Sequence, residues 1–263
     1  MLGVMTDIAT RATELKRLHD APELLTVINV WDVISAKVVA GIPGTTALAT
    51  ASHSIAASRG YEDGENISLG EMIEECRRIA AAVDLPVTAD LEAGYGNAAE
   101  AVRRAIGVGV VGANIEDQLK PLTEATAQVE AIMAAAAAEG VPDFMLNART
   151  DAFVRAGDRD PAEVLADATA RARAFLDAGA PVVFVPGKLD EAQIAHLVDA
   201  LGPQRLTLIG VPGSVALDRM QELGVARVSY GPWSQRVALT ALAELVEDVH
   251  AGGGLPAGAR ALN

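Results

Sequence analysis

The sequence predicts a single-domain (β/α)8 barrel spanning residues 1–263, and three observations lead to this prediction. Eight short apolar runs recur along the chain and alternate with longer, Ala-rich stretches of helical character. The runs are apolar throughout, as expected for parallel strands that are buried on both faces. The length of 263 residues is close to the roughly 250 residues typical of one such barrel. No Gly- or Pro-rich linker divides residues 20–250.

The predicted strands are four to six residues long and rich in aliphatic side chains. They are Leu25–Val30, Thr46–Thr50, Pro86–Leu91, Gly112–Glu116, Phe144–Ala148, Pro181–Val185, Leu206–Ile209 and Ala226–Ser229. A doubly wound open sheet would show the same alternation of strands and helices. The sequence has no Gly-x-Gly-x-x-Gly after its first strand, which disfavours a dinucleotide-binding version of that sheet.

Capping sequences mark the helix starts between these strands. Ser68 followed three residues later by Glu71 is a capping box, in which each side chain satisfies a backbone N–H of the other residue. The N-cap residues of this kind are Ser68, Asn97, Asp160 and Asp190. Gly179 and Gly224 stand where a helix would end before the next strand. Strand, loop and capped helix therefore recur about eight times, as the barrel requires.

Composition and charge exclude several classes of partner. Lys and Arg number 21 against 35 Asp and Glu, so the net charge is −14, which repels nucleic-acid phosphates and anionic membrane surfaces. The chain has no run of about 18 apolar residues that could span a membrane, and its N-terminus turns charged too early for a secretory signal. One cysteine, Cys76, fits a reducing compartment. We therefore expect a cytoplasmic protein.

Carboxylates are concentrated on the third and fourth predicted strands. Asp90 and Glu92 are two residues apart, so their side chains share one face, and Glu116 ends the neighbouring strand. In a barrel, functional residues lie at these carboxyl ends of the strands. Three convergent carboxylates repel one another unless a cation lies among them, and hard oxygen ligands suit Mg²⁺ or Mn²⁺. The alternative is that some of them form surface ion pairs.

Arg149 ends the fifth predicted strand, beside these acids. A guanidinium next to a metal site can hold a substrate carboxylate through two parallel hydrogen bonds. The alternative is a structural salt bridge to Glu116 or Asp117. Two glycines, Gly94 and Gly96, follow the carboxylate pair directly, and we expect the backbone there to pass close to a ligand.

Four short segments resemble the isocitrate lyase and phosphoenolpyruvate mutase superfamily, in the order in which that family has them. They are Asn29-Val-Trp-Asp-Val-Ile-Ser-Ala36, Asp90-Leu-Glu-Ala-Gly-Tyr-Gly-Asn97, Ala113-Asn-Ile-Glu-Asp-Gln118 and Asn147-Ala-Arg-Thr-Asp151. The second is similar to the family's Asp-x-Asp-x-Gly-Tyr-Gly metal motif. The likeness covers roughly residues 20–245, and four motifs in order are a specific signal.

The resemblance implies an α/β barrel enzyme that uses Mg²⁺ (or Mn²⁺) and cleaves a C–C bond of a small 2-oxo or 2-hydroxy acid through an enolate. It implies a metal site of Asp90, Glu92 and Glu116, several of them acting through water, with Arg149 and Glu116 in catalytic roles. His53 is a further catalytic candidate because neutral imidazole titrates near working pH; the alternative is that it only caps a turn. The substrate-binding residues that the resemblance implies are Trp31, Ser52, His53, Gly94, Tyr95 and Arg149. Asp63 falls near a further acidic position of the family.

Four departures separate this sequence from parts of that family. Glu92 stands where the family usually has Asp. The Lys-Lys/Arg-Cys-Gly-His loop of the isocitrate and methylisocitrate lyases is replaced by Gln118–Ala125, which has no cysteine, and the longer lid of the mutases is missing. Pro186 stands where many relatives have Glu or His. These departures disfavour isocitrate lyase, methylisocitrate lyase and phosphoenolpyruvate mutase activity. They leave open decarboxylation, or retro-aldol cleavage of a substituted malate assisted by a water or His53.

Several other functions stay open at this point. A C–P bond enzyme of the phosphonopyruvate hydrolase or mutase type, and a 2-oxo-acid-binding protein with lost catalysis, both fit the resemblance. A Schiff-base aldolase would use Lys188, and glycine turns at Gly210–Gly213 and Gly231–Trp233 could form a phosphate cup. The family commonly forms homodimers or homotetramers through C-terminal helices, so Val237–His250 is expected to dock on, or exchange with, a partner subunit.

Overall fold

The computed structural model describes residues 2–262, with side chains described from Ile8 onward, and its strands form a nearly closed parallel barrel. The strand segments are β1 Leu25–Val27, β2 Asn29–Val30, β3 Leu48–Thr50, β4 Val87–Asp90, β5 Gly112–Glu116, β6 Met145–Arg149, β7 Val182–Phe184, β8 Leu206–Ile209 and β9 Arg227–Ser229. Their order around the barrel is β1-β9-β8-β7-β6-β5-β4-β3-β2. This confirms the predicted fold class.

Helices follow the strands along the chain and surround the barrel. They are α1 Leu2–Asp20, α2 Val33–Ala40, α3 Ser52–Ser58, α4 Leu69–Ala81, α5 Ala98–Gly107, α6 Leu122–Ala138, α7 Pro161–Asp177, α8 Glu191–Leu201, α9 Leu217–Leu223 and α10 Trp233–His250. Capping boxes at Ser68 and Asp190 and caps at Asn97 and Asp160 are present, so the predicted helix starts are confirmed. Within the described chain, no helix is both long and apolar enough to cross a membrane.

The first predicted strand, Leu25–Val30, is divided in two at Ile28. Its first half, β1, pairs only with β9, and its second half, β2, pairs only with β3. Asn29 joins the two sides: its Oδ1 accepts from the backbone N–H groups of Tyr230 and Gly231 at 2.8 Å each, and its Nδ2 donates to the carbonyl of Thr50 at 2.8 Å. The side chain thus supplies hydrogen bonds that the interrupted strand cannot make.

Helix α1 precedes the barrel and was not anticipated from the sequence. Ala12 and Leu15 on it are fully buried. The Leu15 side chain approaches Gly112 in β5 so closely that a Cβ there would lie 3.1 Å from Leu15 Cδ2 and 2.8 Å from the Met145 carbonyl oxygen. The helix therefore packs against the barrel where β5 begins, at the end opposite the carboxyl ends of the strands.

The barrel interior carries a hydrogen-bonded row of polar side chains. Thr207 Oγ1 donates to Asn147 Oδ1 at 2.6 Å, and Asn147 Nδ2 donates to Asn114 Oδ1 at 2.7 Å. Because these three buried side chains satisfy one another, they hold β5, β6 and β8 in register without a penalty for unpaired polar atoms.

Candidate active site

A cavity of about 320 Å³ opens at the carboxyl ends of the strands, where a barrel places its functional residues. It is lined by Asn29, Ser52, His53, Asp63, Gly64, Asp90, Glu92, Asn114, Glu116, Arg149, Val154, Phe184, Pro186, Ile209, Ser229, Gly231 and Pro232. The three carboxylates and the arginine singled out in the sequence are among them. Neighbouring parallel strands bring them together, because β4, β5 and β6 pair in that order.

Asp90 is held at the last position of β4 by hydrogen bonds from the adjacent strand. Its Oδ2 accepts from the Ser52 backbone N–H at 3.2 Å and from Ser52 Oγ at 2.8 Å, and its own N–H donates to Thr50 Oγ1 at 3.0 Å. These contacts leave Oδ1 without a hydrogen-bond donor among the described residues. The resemblance implies that Ser52 binds substrate, but in this structure its backbone N–H donates to the Asp90 carboxylate.

Glu92 is buried, and both of its carboxylate oxygens accept hydrogen bonds. Oε1 accepts from the Tyr95 hydroxyl at 2.8 Å, and Oε2 accepts from the Glu65 backbone N–H. Burial raises the pKa of Glu92, and these two hydrogen bonds oppose that effect. Glu92 adopts a left-handed backbone conformation with φ 52°, which is strained for a residue other than glycine. The carboxylate is thus anchored to the segment that carries Asp63 and Glu65.

Glu116 and Arg149 form an ion pair on the cavity wall. Arg149 Nη1 lies 2.9 Å from Glu116 Oε2, and its Nε donates to Asp151 Oδ1 at 2.8 Å. Burial raises the pKa of Glu116 to about 7; the Arg149 charge opposes this shift, while Asp151 and Asp90 add to it. A carboxyl group that titrates near neutral pH inside a cleft is typical of a functional site.

His53 lines the cavity from the first turn of α3, next to Ser52. Its Nδ1 is buried and has no hydrogen-bond partner in the part of the chain that the structure describes. A buried ring nitrogen of this kind needs a partner.

A family model for phosphoenolpyruvate phosphomutase matches residues 15–250 of this sequence. The chain belongs to the phosphoenolpyruvate mutase family. This confirms the predicted superfamily.

Individual relatives extend over nearly the same length. A provisionally assigned 2-methylisocitrate lyase of Corynebacterium glutamicum is 30% identical over an alignment of 264 positions. The alignment covers 92% of this chain and 83% of the relative. The oxaloacetate decarboxylase of Paraburkholderia xenovorans is 29% identical over 262 residues, with the same two coverages of 92% and 83%. A Burkholderia cenocepacia J2315 structure with a provisional phosphonomutase assignment has a TM-score of 0.85 and 39% identity, covering 91% of this chain and 98% of that one.

These relatives carry the names of a lyase, a decarboxylase and a phosphonomutase. The predicted class of enzyme, a carbon–carbon lyase of the superfamily, is confirmed at that level by the first two.

Three residues expected to bind substrate lie outside the cavity lining. Trp31 borders a separate apolar groove between α2 and α10, and its backbone N–H donates to Ser35 Oγ. Gly94 approaches α5 instead of a ligand: a Cβ there would lie 2.4 Å from Ala98 Cβ. Tyr95 lies behind Glu92 and donates its hydroxyl to it.

The remaining predicted residues do meet at the cavity, together with residues that the sequence reasoning did not select. Ser52, His53, Asp90, Glu92, Glu116 and Arg149 all line it, as does Asp63. Asn114 and Ser229 were missed, although each lies on an inward-facing strand position that period-two counting would identify. Asp117 points away from the cavity, with Oδ1 accepting from the Asp151 N–H at 3.0 Å and Oδ2 from Arg171 Nη1 at 3.0 Å.

The donor set fits a hard cation held partly through water. Among the side chains that the structure describes, from Ile8 to Leu262, no three of His, Cys, Asp or Glu converge closely enough to hold one ion directly. Asp90 nevertheless presents a free carboxylate oxygen to the cavity, and Glu116 lies on the adjacent strand. Mg²⁺ commonly keeps several water ligands and binds through only one or two carboxylates.

Proposed function

We propose that this protein is a divalent-metal-dependent carbon–carbon lyase or decarboxylase for a small 2-oxo or 2-hydroxy carboxylic acid. The observation that supports it is the meeting of Asp90, Glu116 and Arg149 in one cavity at the carboxyl ends of β4, β5 and β6. Cleaving a C–C bond beside a carbonyl leaves electron density on oxygen, as an enolate. A cation site next to a guanidinium stabilises that charge more in the transition state than in the substrate.

Asp90 and Glu116 would hold Mg²⁺, or Mn²⁺, and Glu92 would act through water. Both oxygens of Glu92 already accept hydrogen bonds, so its carboxylate suits an outer position that receives a hydrogen bond from a metal-bound water. When bound, the ion supplies Lewis-acid stabilisation of the developing oxyanion.

Arg149 would bind the substrate carboxylate. Asp151 fixes its orientation through Nε, and the Glu116 contact uses Nη1, so Nη2 has no protein acceptor among the described residues. The side chain is 22% exposed, enough for a ligand to reach it. An oriented guanidinium binds a carboxylate with little further loss of side-chain freedom.

His53 would transfer protons, and Glu116 would do so only while it holds no cation. Both line the cavity, and imidazole can donate and accept a proton at working pH. The Glu116 carboxyl group has a pKa of about 7 without a cation, and it is ionised when it holds one. His53 follows Ser52, which hydrogen-bonds to Asp90, and it lines the same cavity as Arg149, so a substrate in the cavity would meet both groups.

A C–P bond reaction is the second candidate. It is supported by the match to the phosphoenolpyruvate phosphomutase model and by the similarity to a structure provisionally assigned as a phosphonomutase. The same cavity would then hold a phosphonate in place of the departing carboxylate.

Proton and phosphorus NMR with a small substrate panel separates these functions. The panel holds oxaloacetate, isocitrate, 2-methylisocitrate, dimethylmalate and phosphonopyruvate, each with Mg²⁺ or with a chelator. Mg²⁺-dependent loss of one carboxylic acid supports the lyase or decarboxylase. Loss of phosphonopyruvate supports the second candidate. No turnover in any sample would contradict both and favour a binding protein.

We also propose that α10 joins two copies of the chain, by docking or by exchange. Large apolar side chains on it are exposed to solvent; they are Val237, Leu239, Leu242, Val246 and Val249. Beside them lies an apolar groove of about 570 Å³ whose walls include Trp31, Ile34, Val38 and Trp233. An apolar surface of this extent is typical of a protein–protein contact.

A further inference from the structure

Arg227 is a fully buried arginine on β9, a strand that also contributes to the active-site cavity. Val228 faces outward, because it packs in one apolar cluster with Ile194 and Leu197 of α8. Since side chains alternate between the two faces of a strand, Arg227 and Ser229 face the barrel interior. Ser229 lines the cavity, and the Arg227 backbone lies about 7 Å further from the carboxyl end of the strand.

The interior row of polar side chains lies at the depth of Arg227. Thr207, its register partner on β8, belongs to that row together with Asn147 and Asn114, and Asn114 also lines the cavity. Arg227 is therefore part of the layer that supports the cavity floor. Because its side chain is 1% exposed and outside the cavity lining, Arg227 acts on a ligand in the cavity through its charge and not through contact.

The buried charge of Arg227 is not neutralised by a salt bridge. Among the described residues, its Nε and Nη2 have no hydrogen-bond partner, and no carboxylate forms an ion pair with it. Burial lowers its pKa to about 10, and the charge of Asp90 opposes this shift, so the group is positive at neutral pH. The nearby ring of His19 adds no charge, because its pKa is about 3. An isolated buried charge reduces stability, so packing does not account for an arginine here.

The cavity above Arg227 is strongly acidic. Its described lining carries one guanidinium, that of Arg149, and four carboxylates, those of Asp63, Asp90, Glu92 and Glu116. Such a cavity attracts a divalent cation and repels an anionic ligand. A positive charge beneath the floor opposes both effects, and salt screens a buried charge much less than an exposed one.

We propose that Arg227 is a positioning residue of the active site, whose buried charge weakens cation binding and strengthens binding of the substrate anion. This role rests on the proposed function, because it takes the cavity as the site of a divalent cation and a carboxylate. At an effective dielectric constant of about 20, a unit charge about 10 Å away changes the affinity for a monovalent ion roughly tenfold. Removing the charge therefore shifts the two affinities in opposite directions, which the loss of a purely structural side chain does not do.

Two neutral substitutions of different chemistry test this role. Arg227→Met places a flexible apolar side chain in the barrel interior, and Arg227→Gln places a polar one there. Calorimetry at pH 7 measures the dissociation constants of Mg²⁺ alone and of pyruvate at saturating Mg²⁺. We expect both variants to bind Mg²⁺ at least about tenfold more tightly and pyruvate at least about fivefold more weakly. Arg103→Met, which removes an exposed charge on α5, is the matched control and leaves both constants unchanged.

Each contrary result has a distinct meaning. If the unaltered protein binds neither Mg²⁺ nor pyruvate, the proposed function fails, and the role of Arg227 fails with it. If both bind and neither variant changes either constant, the proposed function stands and Arg227 has no electrostatic role. If both affinities fall together in the variants, Arg227 only supports the shape of the cavity floor, and the proposed role is overturned.

Discussion

Arg149 and Glu116 are register partners on neighbouring strands, and their ion pair of 2.9 Å spans β6 and β5 at the cavity wall. The salt bridge between Arg149 and Glu116, one of the two interpretations of Arg149 from the sequence, is therefore present in this structure. It does not exclude substrate binding, because Asp151 holds the guanidinium from behind and the group remains open to the cavity. The ion pair fixes the position of Arg149. It also places a positive group that suits an anionic ligand next to a negative group that suits a cation.

Replacing Arg149 by Lys should sharply weaken carboxylate binding. Lys keeps the charge but loses the planar pair of donors and the contact to Asp151. Charge-assisted hydrogen bonds contribute about 1.5–3 kcal/mol, so we expect roughly a 10- to 150-fold rise in the dissociation constant for pyruvate. Calorimetry measures it. Arg219→Lys, in a surface ion pair with Glu191, is the control. Unchanged affinity in Arg149→Lys would assign Arg149 a structural role alone.

Replacing Asp90 by Asn should remove the response to Mg²⁺. Its free Oδ1 is the cavity-facing carboxylate oxygen without a protein donor, and an amide is a much poorer ligand for this ion. We expect Mg²⁺ to raise the melting temperature of the unaltered protein and to leave that of Asp90→Asn unchanged. Asp84→Asn, at an exposed position, should behave like the unaltered protein. A full Mg²⁺ response in Asp90→Asn would contradict the assigned metal site.

Mg²⁺ binding should release a proton from Glu116. The pKa of about 7 leaves the carboxyl group about half protonated at pH 7, and a cation requires the ionised form. Calorimetric titrations in buffers of different ionisation enthalpy should show on the order of half a proton released at pH 7, and less at pH 8. In Glu116→Gln this contribution disappears. Equal proton release by both proteins would place the ion away from Glu116.

His19 should make the fold sensitive to acid. It is fully buried on α1, with Nδ1 2.8 Å from the Leu15 carbonyl oxygen, and burial together with the Arg227 charge lowers its pKa to about 3. The unfolded chain takes up a proton below pH 6.5, and the folded one does not until about pH 3. The neutral, buried His19 therefore makes its full contribution to the free energy of unfolding above pH 6.5, and this contribution is lost as the pH falls.

This effect is measured by urea unfolding between pH 7 and pH 4. Relative to His19→Gln, the unaltered protein should lose about 1.4 kcal/mol of unfolding free energy per pH unit below about pH 6. His196→Gln, at an exposed position, should keep the pH dependence of the unaltered protein. Parallel curves for the His19→Gln variant and the unaltered protein would show that the buried ring becomes protonated without cost.

Replacing Leu242 by Glu should dissociate the proposed assembly. Leu242 is 56% exposed on α10, so the substitution is compatible with the isolated subunit but introduces an unpaired charge into an apolar contact. Light scattering after gel filtration should give an oligomer for the unaltered protein and the mass of one chain for Leu242→Glu. A monomeric unaltered protein would refute the assembly.

The sequence by itself determined the barrel, the helix starts and the set Asp90, Glu116 and Arg149. Buried parallel strands and capping boxes are encoded by residues close together in the chain, so periodicity and short motifs suffice to find them. Residues at the carboxyl ends of consecutive parallel strands must meet, and this brought the acids and the arginine into one cavity without knowledge of any contact.

Only the tertiary structure decided how the first strand, the glycines and the far side of the cavity are used. Asn29 joins the two ends of the sheet by accepting from the backbone N–H of Tyr230, which is 201 residues away in the chain, and Trp31 lies in the groove beside α10 instead of in the cavity. Position 94 requires glycine because a Cβ there would lie 2.4 Å from the Ala98 Cβ on α5. Phe184 lies beside Arg149 because of the register of β7 on β6. Such contacts join distant parts of the chain, so no local pattern records them.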